Sequence, residues 1–209
     1  MMFVKVCGVK DLEELEIVER YADATGVVVE CESRRRVDLD LAREIVECSS
    51  IPVFLVSTLK KFEDWMKVVS KTNASYVQIH SNVEPSVVES LRDVGIFVMK
   101  AFLVPRMSVE PKRDAAMLMN EICRYDVDMV LLDTGRGSGL THDYRVSRIV
   151  AEKFDVVLAG GLNPENVDRI VRFVKPFGVD VSSGVERNYR KDEKLIAEFV
   201  RRIGRGDGV

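Results

Sequence analysis

The stretch DVVLAGGLNPENVDRIVRFVKPFGVDVSSG, residues 155–184, holds one complete structural unit. It opens on a short, valine-rich apolar run, DVVLAG (155–160), which reads as a strand buried on both faces. Two glycines end that run. Asn163 then stands where a helix N-cap is expected, with Pro164 at the first helical position. Val167, Ile170, Val171 and Val174 recur at helical spacing, and Pro176 closes the helix. A second apolar run, GVDVSS (178–183), follows. Strand, helix and strand at this spacing make a crossover whose two strands run parallel.

The same alternation extends back to the N-terminus. Candidate strands are FVKVC (3–7), ATGVVV (24–29), PVFLV (52–56), SYVQIH (75–80), IFVMKAF (96–102) and DMVLLD (128–133). Amphipathic stripes lie at 39–48, 60–71, 84–94, 110–124, 143–153 and 192–203, and Asp11 with Glu14 forms a capping-box pair ahead of the first helix. No low-complexity stretch or long linker interrupts the series. An open doubly wound sheet could use such alternation, but eight regular units without a Gly-x-Gly-x-x-Gly after the first strand favour a closed barrel. The expectation is one α/β domain over 1–209, a compact (β/α)8 TIM barrel of parallel strands.

Composition narrows the partners. The chain has 209 residues, 46% of them hydrophobic and 31% charged, with a formal net charge of −3, so a general affinity for nucleic acid is not expected. No apolar run reaches the roughly 20 residues that span a bilayer, and no signal segment precedes the first strand. Cys7, Cys31, Cys48 and Cys123 form no Cys-x-x-Cys pair and do not cluster with His80 or His142. A reduced, cytoplasmic protein without metal or cofactor, and without a nucleic-acid or membrane partner, is the simplest expectation, as a monomer or homodimer. Abundant Glu, Lys and Arg with a single glutamine, Gln78, suit a heat-adapted source.

In such a barrel the binding and reacting groups sit at the C-terminal ends of the strands. Those positions hold Cys7 and Gly8, the arginines 34–36, Gln78 and His80, Lys100, Asp133, Gly160 and Gly161, and Ser182 to Gly184. Gln78 and Lys100 are expected as interior structural partners. The glycines of AGGLNPENV, DVSSGVE and GRGSG (135–139) let backbone N–H groups turn toward an anion, and the last two strand loops are the usual phosphate cradle of this architecture. Cys7 is ordinarily a small buried hydrophobe by type. Lys5, however, lies on the same strand face, where it would favour a thiolate and is expected to pair with Asp180 on the neighbouring last strand.

Taken together, VKVCGV, ADATGVVV, SRRRV, YVQIH, VMKA, LLDT, GSGLTHDY, LAGGLNPENV, VDVSSGVE and the closing KD resemble the phosphoribosylanthranilate isomerases over the whole chain. That resemblance implies a cofactor-independent aldose–ketose isomerase of tryptophan biosynthesis, acting on a phosphorylated small-molecule substrate. It implies Cys7 as general base and Asp133 as general acid in an Amadori rearrangement. It further implies Arg35 at the anthranilate carboxylate and a phosphate site on Gly137, Gly139, Gly160, Gly161, Ser183 and Gly184, while His80 is a candidate either to line the substrate pocket or to hydrogen-bond a loop. Ser81, Arg36 and HDY (142–144) depart from the family pattern, and the loop after Asp133 is short. A non-catalytic barrel that binds phosphorylated metabolites would not need both Cys7 and Asp133. A bifunctional isomerase that also accepts a histidine-pathway aminoaldose would place aspartates where Cys7 and Lys100 stand.

Overall fold

Valine-rich strands covered on both faces close here into a ring. The computed structural model describes residues 2–135 and 141–204. Strands β1 (Phe3–Cys7), β2 (Ala24–Val28), β3 (Val53–Ser57), β4 (Tyr76–Ile79), β5 (Phe97–Leu103), β6 (Met129–Asp133), β7 (Val156–Leu158) and β8 (Gly178–Val181) form a closed parallel barrel in sequence order. β8 closes on β1 with Lys5 opposite Asp180. Helices α1 (Leu12–Glu19), α2 (Leu39–Cys48), α3 (Phe62–Thr72), α4 (Pro85–Asp93), α5 (Pro111–Ile122), α6 (Tyr144–Ala151), α7 (Val167–Val174) and α8 (Glu193–Arg202) each follow their strand.

Strand alternation divides the apolar residues into two layers. Cys7, Ala24, Val28, Phe54, Val56, Met99, Ala101, Leu131, Val157 and Ala159 fill the barrel. Val4, Val6, Leu55, Val77, Val98, Leu132 and Val179 point outward, against helix residues such as Trp65, Leu91, Ile170 and Phe199. Each fully buried side chain of this kind stabilises the fold by about 1.5–3 kcal/mol relative to exposure. At the N-terminal end Phe54, Tyr76 and Phe97 close the floor, with ring centroids 5.3–6.0 Å apart. That leaves the opposite end open for polar groups.

Two local readings change, and one feature is added. Helix α7 begins at Val167 rather than at Pro164, because the Asn163 side chain accepts from the N–H groups of Glu165 and Asn166, both at 3.0 Å, and caps a preceding turn. Lys100 points out of the barrel, since its neighbours Met99 and Ala101 take the inward positions. Its ammonium lies 4.5 Å from the Phe102 ring and 4.8 Å from the Tyr125 ring, and donates to the Ala101 carbonyl at 3.2 Å. It is therefore no interior partner of Gln78. Finally, the loop after β8 forms a hairpin, β9 (Glu186–Arg187) with β10 (Arg190–Lys191), turned by Asn188 and Tyr189 in left-handed backbone.

The last two strand loops touch. A methyl group at Gly184 would lie 1.8 Å from the Leu162 carbonyl oxygen. Gly184→Ala should therefore cost about 1–3 kcal/mol, as overpacking does, visible as a lowered Tm. An unchanged Tm would contradict this close approach.

Candidate active site

The site starts at Lys5, which has no exposed surface. A buried ammonium needs a partner, and Asp180 supplies one with both carboxylate oxygens at 3.1 Å. Burial would by itself favour the neutral amine, but Asp180 and Cys7 outweigh it and hold the Lys5 pKa above its ordinary value. Space for this arrangement comes from Gly26 in the middle of β2. A methyl group there would stand 2.8 Å from the Cys7 sulfur and 3.1 Å from the Lys5 nitrogen.

Cys7 is the next inward residue along β1 and is nearly buried. Burial pushes its thiol pKa up, Lys5 and Lys191 pull it down, and Asp180 adds to the rise; the net shift is upward. Lys5 thus acts in the direction expected from the sequence, favouring the thiolate, while desolvation is the larger influence and opposes it. Lys5→Met should raise the thiol pKa further and leave Asp180 buried without its partner, at a cost of at least about 3 kcal/mol. Denaturant unfolding and the pH dependence of Cys7 alkylation measure the two effects. An unchanged thiol titration would exclude an electrostatic role for Lys5.

Asp133 ends β6 as its last inward residue. Burial raises its carboxyl pKa despite hydrogen bonds from the backbone of Thr134, at 2.7 Å, and Gly135. His80, beyond β4, brings Nδ1 to 3.8 Å from the Asp133 carboxylate. Its pKa is lowered to about 4, chiefly by burial and also by Lys5 and Lys100, so the imidazole is neutral at pH 7. Its Nε2 lies 2.5 Å from the Gln78 side-chain nitrogen.

Arg35 reaches the same mouth from the loop after β2. Its Nε and Nη2 donate to the two carboxylate oxygens of Glu186, each at 2.7 Å. Burial opposes ionisation of Glu186, but Arg35 and Lys191 overcome it and lower its pKa to about 2. Lys191, wholly buried in its side chain, donates to Glu186 at 2.8 Å and to the Cys7 carbonyl at 2.6 Å.

After β7, Gly160 and Gly161 adopt φ of +88° and +66°, conformations that side chains disfavour. The N–H groups of Gly160, Gly161, Ser183 and Gly184 make no backbone hydrogen bond among the described residues. Gly137 and Gly139 lie outside the described residues. Among the described residues, no cluster of His, Cys, Asp and Glu is gathered to hold a metal ion, and no helix is long and apolar enough to cross a membrane.

Strands β6, β7, β8 and β1 are consecutive around the barrel, so Asp133, the two glycine turns and Cys7 share one half of the rim. Sequence reasoning missed Gly26, Glu186 and Lys191. The first was detectable, because a glycine inside an otherwise apolar strand marks a close approach.

A closed parallel barrel that gathers its thiol, carboxyl and arginine at the C-terminal mouth defines a (β/α)8-barrel enzyme. Known proteins narrow that class. A family model described as N-(5'phosphoribosyl)anthranilate (PRA) isomerase matches residues 4–202, and the chain belongs to that family. It is 63% identical over 202 residues to the N-(5'-phosphoribosyl)anthranilate isomerase of Pyrococcus abyssi, covering 96% of this chain and 97% of the relative. The solved structure of the Pyrococcus furiosus N-(5'-phosphoribosyl)anthranilate isomerase superposes with a TM-score of 0.92 at 57% identity, over 97% of this chain and 98% of that one. A phosphoribosyl anthranilate isomerase solved with reduced 1-(o-carboxyphenylamino)-1-deoxyribulose 5-phosphate gives 0.81 at 31% identity, over 97% and 98%.

Proposed function

We propose that this chain converts N-(5-phosphoribosyl)anthranilate to 1-(2-carboxyphenylamino)-1-deoxyribulose 5-phosphate, with Asp133 as general acid and Cys7 as general base. The observation that carries the reading is the placement of Cys7 and Asp133 as the last inward residues of β1 and β6, with the glycine turns of β7 and β8 on the rim between them. Support for the substrate comes from family membership and from the carboxyphenylamino sugar phosphate bound to a relative.

Asp133 protonates the furanose ring oxygen, the C1–O bond breaks, and the nitrogen lone pair forms the protonated imine. The Cys7 thiolate then removes the proton from sugar C2, and the C–H electrons flow toward the iminium nitrogen to give an enolamine. Protonation at C1 with loss of the C2 hydroxyl proton then yields the ketone. No electron acceptor is needed, because C1 is reduced as C2 is oxidised. The raised Asp133 pKa favours a proton on the acid. The buried Lys5 ammonium stabilises the thiolate at the moment it is needed.

In this reading the substrate phosphate lies on the backbone N–H groups of Gly160, Gly161, Ser183 and Gly184. His80 lines the pocket as a neutral donor. Arg35 faces the anthranilate carboxylate, to which a guanidinium fork is matched. The test follows anthranilate-linked fluorescence as freshly formed substrate is consumed, with NMR identification of the product. Fluorescence loss with appearance of the ketose is expected, and no turnover would sink the assignment.

A further inference from the structure

Arg35 is held from two sides. Its stem crosses Gly8, the residue after Cys7; a methyl group there would lie 2.4 Å from Arg35 Cδ and 3.4 Å from Cγ. Gly8 has φ of +87° and offers a flat backbone against which that stem rests. From the other side Glu186 grips Nε and Nη2 in a bidentate pair. A guanidinium has five N–H donors in a rigid plane. Pinning that edge fixes the plane and leaves the Nη1 edge without a hydrogen bond among the described residues.

The grip is itself anchored. Glu186 and Lys191 are paired across the β9–β10 hairpin, and Lys191 bridges Glu186 to the carbonyl of Cys7. At the hairpin tip, Tyr189 stacks 5.2 Å from the Arg34 guanidinium and accepts a hydrogen bond from it at 2.8 Å. The neighbouring arginine is thereby fastened to the hairpin as well. These contacts join residues about 150 positions apart in sequence into one clip at the mouth.

We propose that Glu186 is a positioning residue that aims the free edge of Arg35 at the carboxylate on the substrate's aromatic ring, and that Lys191 ties this aim to the strand end carrying Cys7. The inference rests on the reading that Arg35 receives that carboxylate. Glu186 touches no reacting atom. It restricts a long, rotamer-rich side chain to one orientation before the ligand arrives, so its effect is selective for ligands that carry the carboxylate.

The test uses two stable product analogues, reduced 1-(2-carboxyphenylamino)-1-deoxyribulose 5-phosphate and its phenylamino counterpart lacking the carboxyl group. Binding of each is measured by calorimetry to the wild type, Glu186→Gln and Arg35→Ala. Glu186→Gln is expected to weaken the carboxylated analogue tenfold or more and the other less than twofold, with Glu186→Asp recovering part of the loss. Arg35→Ala is expected to abolish the wild-type preference for the carboxylated analogue.

Equal weakening of both analogues by Glu186→Gln, or an unchanged preference, overturns the positioning role. If Arg35→Ala also leaves the preference intact, the carboxylate assignment of Arg35 has failed as well. If Arg35→Ala removes it while Glu186→Gln does not, only the positioning role fails. Should Glu186→Gln not fold, Gly8→Ala decides from the opposite side: it displaces the Arg35 stem and is expected to give the same selective loss, and a non-selective effect overturns the proposal.

Discussion

Cys7→Ser is expected to lower kcat by about 10³-fold or more, within the range supplied by a positioned general base. The substitution exchanges one atom and keeps the shape of the β1 terminus, including the contact with Gly26 and the Lys5–Asp180 pair beneath it. What it removes is acidity: a serine hydroxyl ionises far above the thiol, even a thiol already raised by burial. KM should move little, because the carboxylate and phosphate sites lie on other loops. Steady-state fluorescence assays separate the two parameters. A variant with wild-type kcat would leave Cys7 as packing.

Asp133→Asn is expected to cost a comparable factor of about 10³ and, in addition, to invert the alkaline pH response. The reacting state needs Asp133 protonated and Cys7 ionised. Burial raises both pKa values, but the carboxyl starts at 3.8 and the thiol at 9.0. Between the two titrations the required state is a fixed minor fraction, so the wild-type rate is flat across neutrality. It falls below the Asp133 pKa, where the thiolate fraction shrinks, and above the Cys7 pKa, where the acid has lost its proton. With asparagine the alkaline fall disappears, and residual activity climbs with pH as the thiolate forms. A pH–rate profile of the variant that still falls in alkali would contradict the assignment of Asp133 as the acid.

Much of this site was legible because strand parity carries so much information. Phe3, Lys5 and Cys7 must share a face, and once the barrel was inferred that face had to be the interior. The Lys5–Asp180 pair followed from the same rule, since β1 and β8 meet where the barrel closes. Lys100 shows the limit of that reasoning. IFVMKAF is apolar on both faces, so alternation gives no inward signal, and only the register through Leu103 settles that Met99 and Ala101 point in.

The environment of Arg35 was out of reach for another reason. Three adjacent arginines look alike in sequence, and their distinction lies in their partners: Glu186 for Arg35 and Tyr189 for Arg34, both from the far end of the chain, and the nearby Glu30 for Arg36. The hairpin that brings Glu186 and Lys191 into place turns on Asn188 and Tyr189 without the glycine that usually announces such a turn. The upward net shift at Cys7 is equally hidden from sequence, which reveals the neighbouring lysine but not how completely water is excluded.

The proton at sugar C2 offers the most direct access to the chemistry, because its removal is the step assigned to Cys7. Substrate labelled with tritium at C2 can be followed by release of the label into water, under enzyme excess, with the wild type and with Cys7→Ser. Release by the wild type in step with fluorescence loss, and its near absence in Cys7→Ser, is the predicted result. Release by Cys7→Ser at the wild-type rate would contradict the assignment of Cys7 as the base.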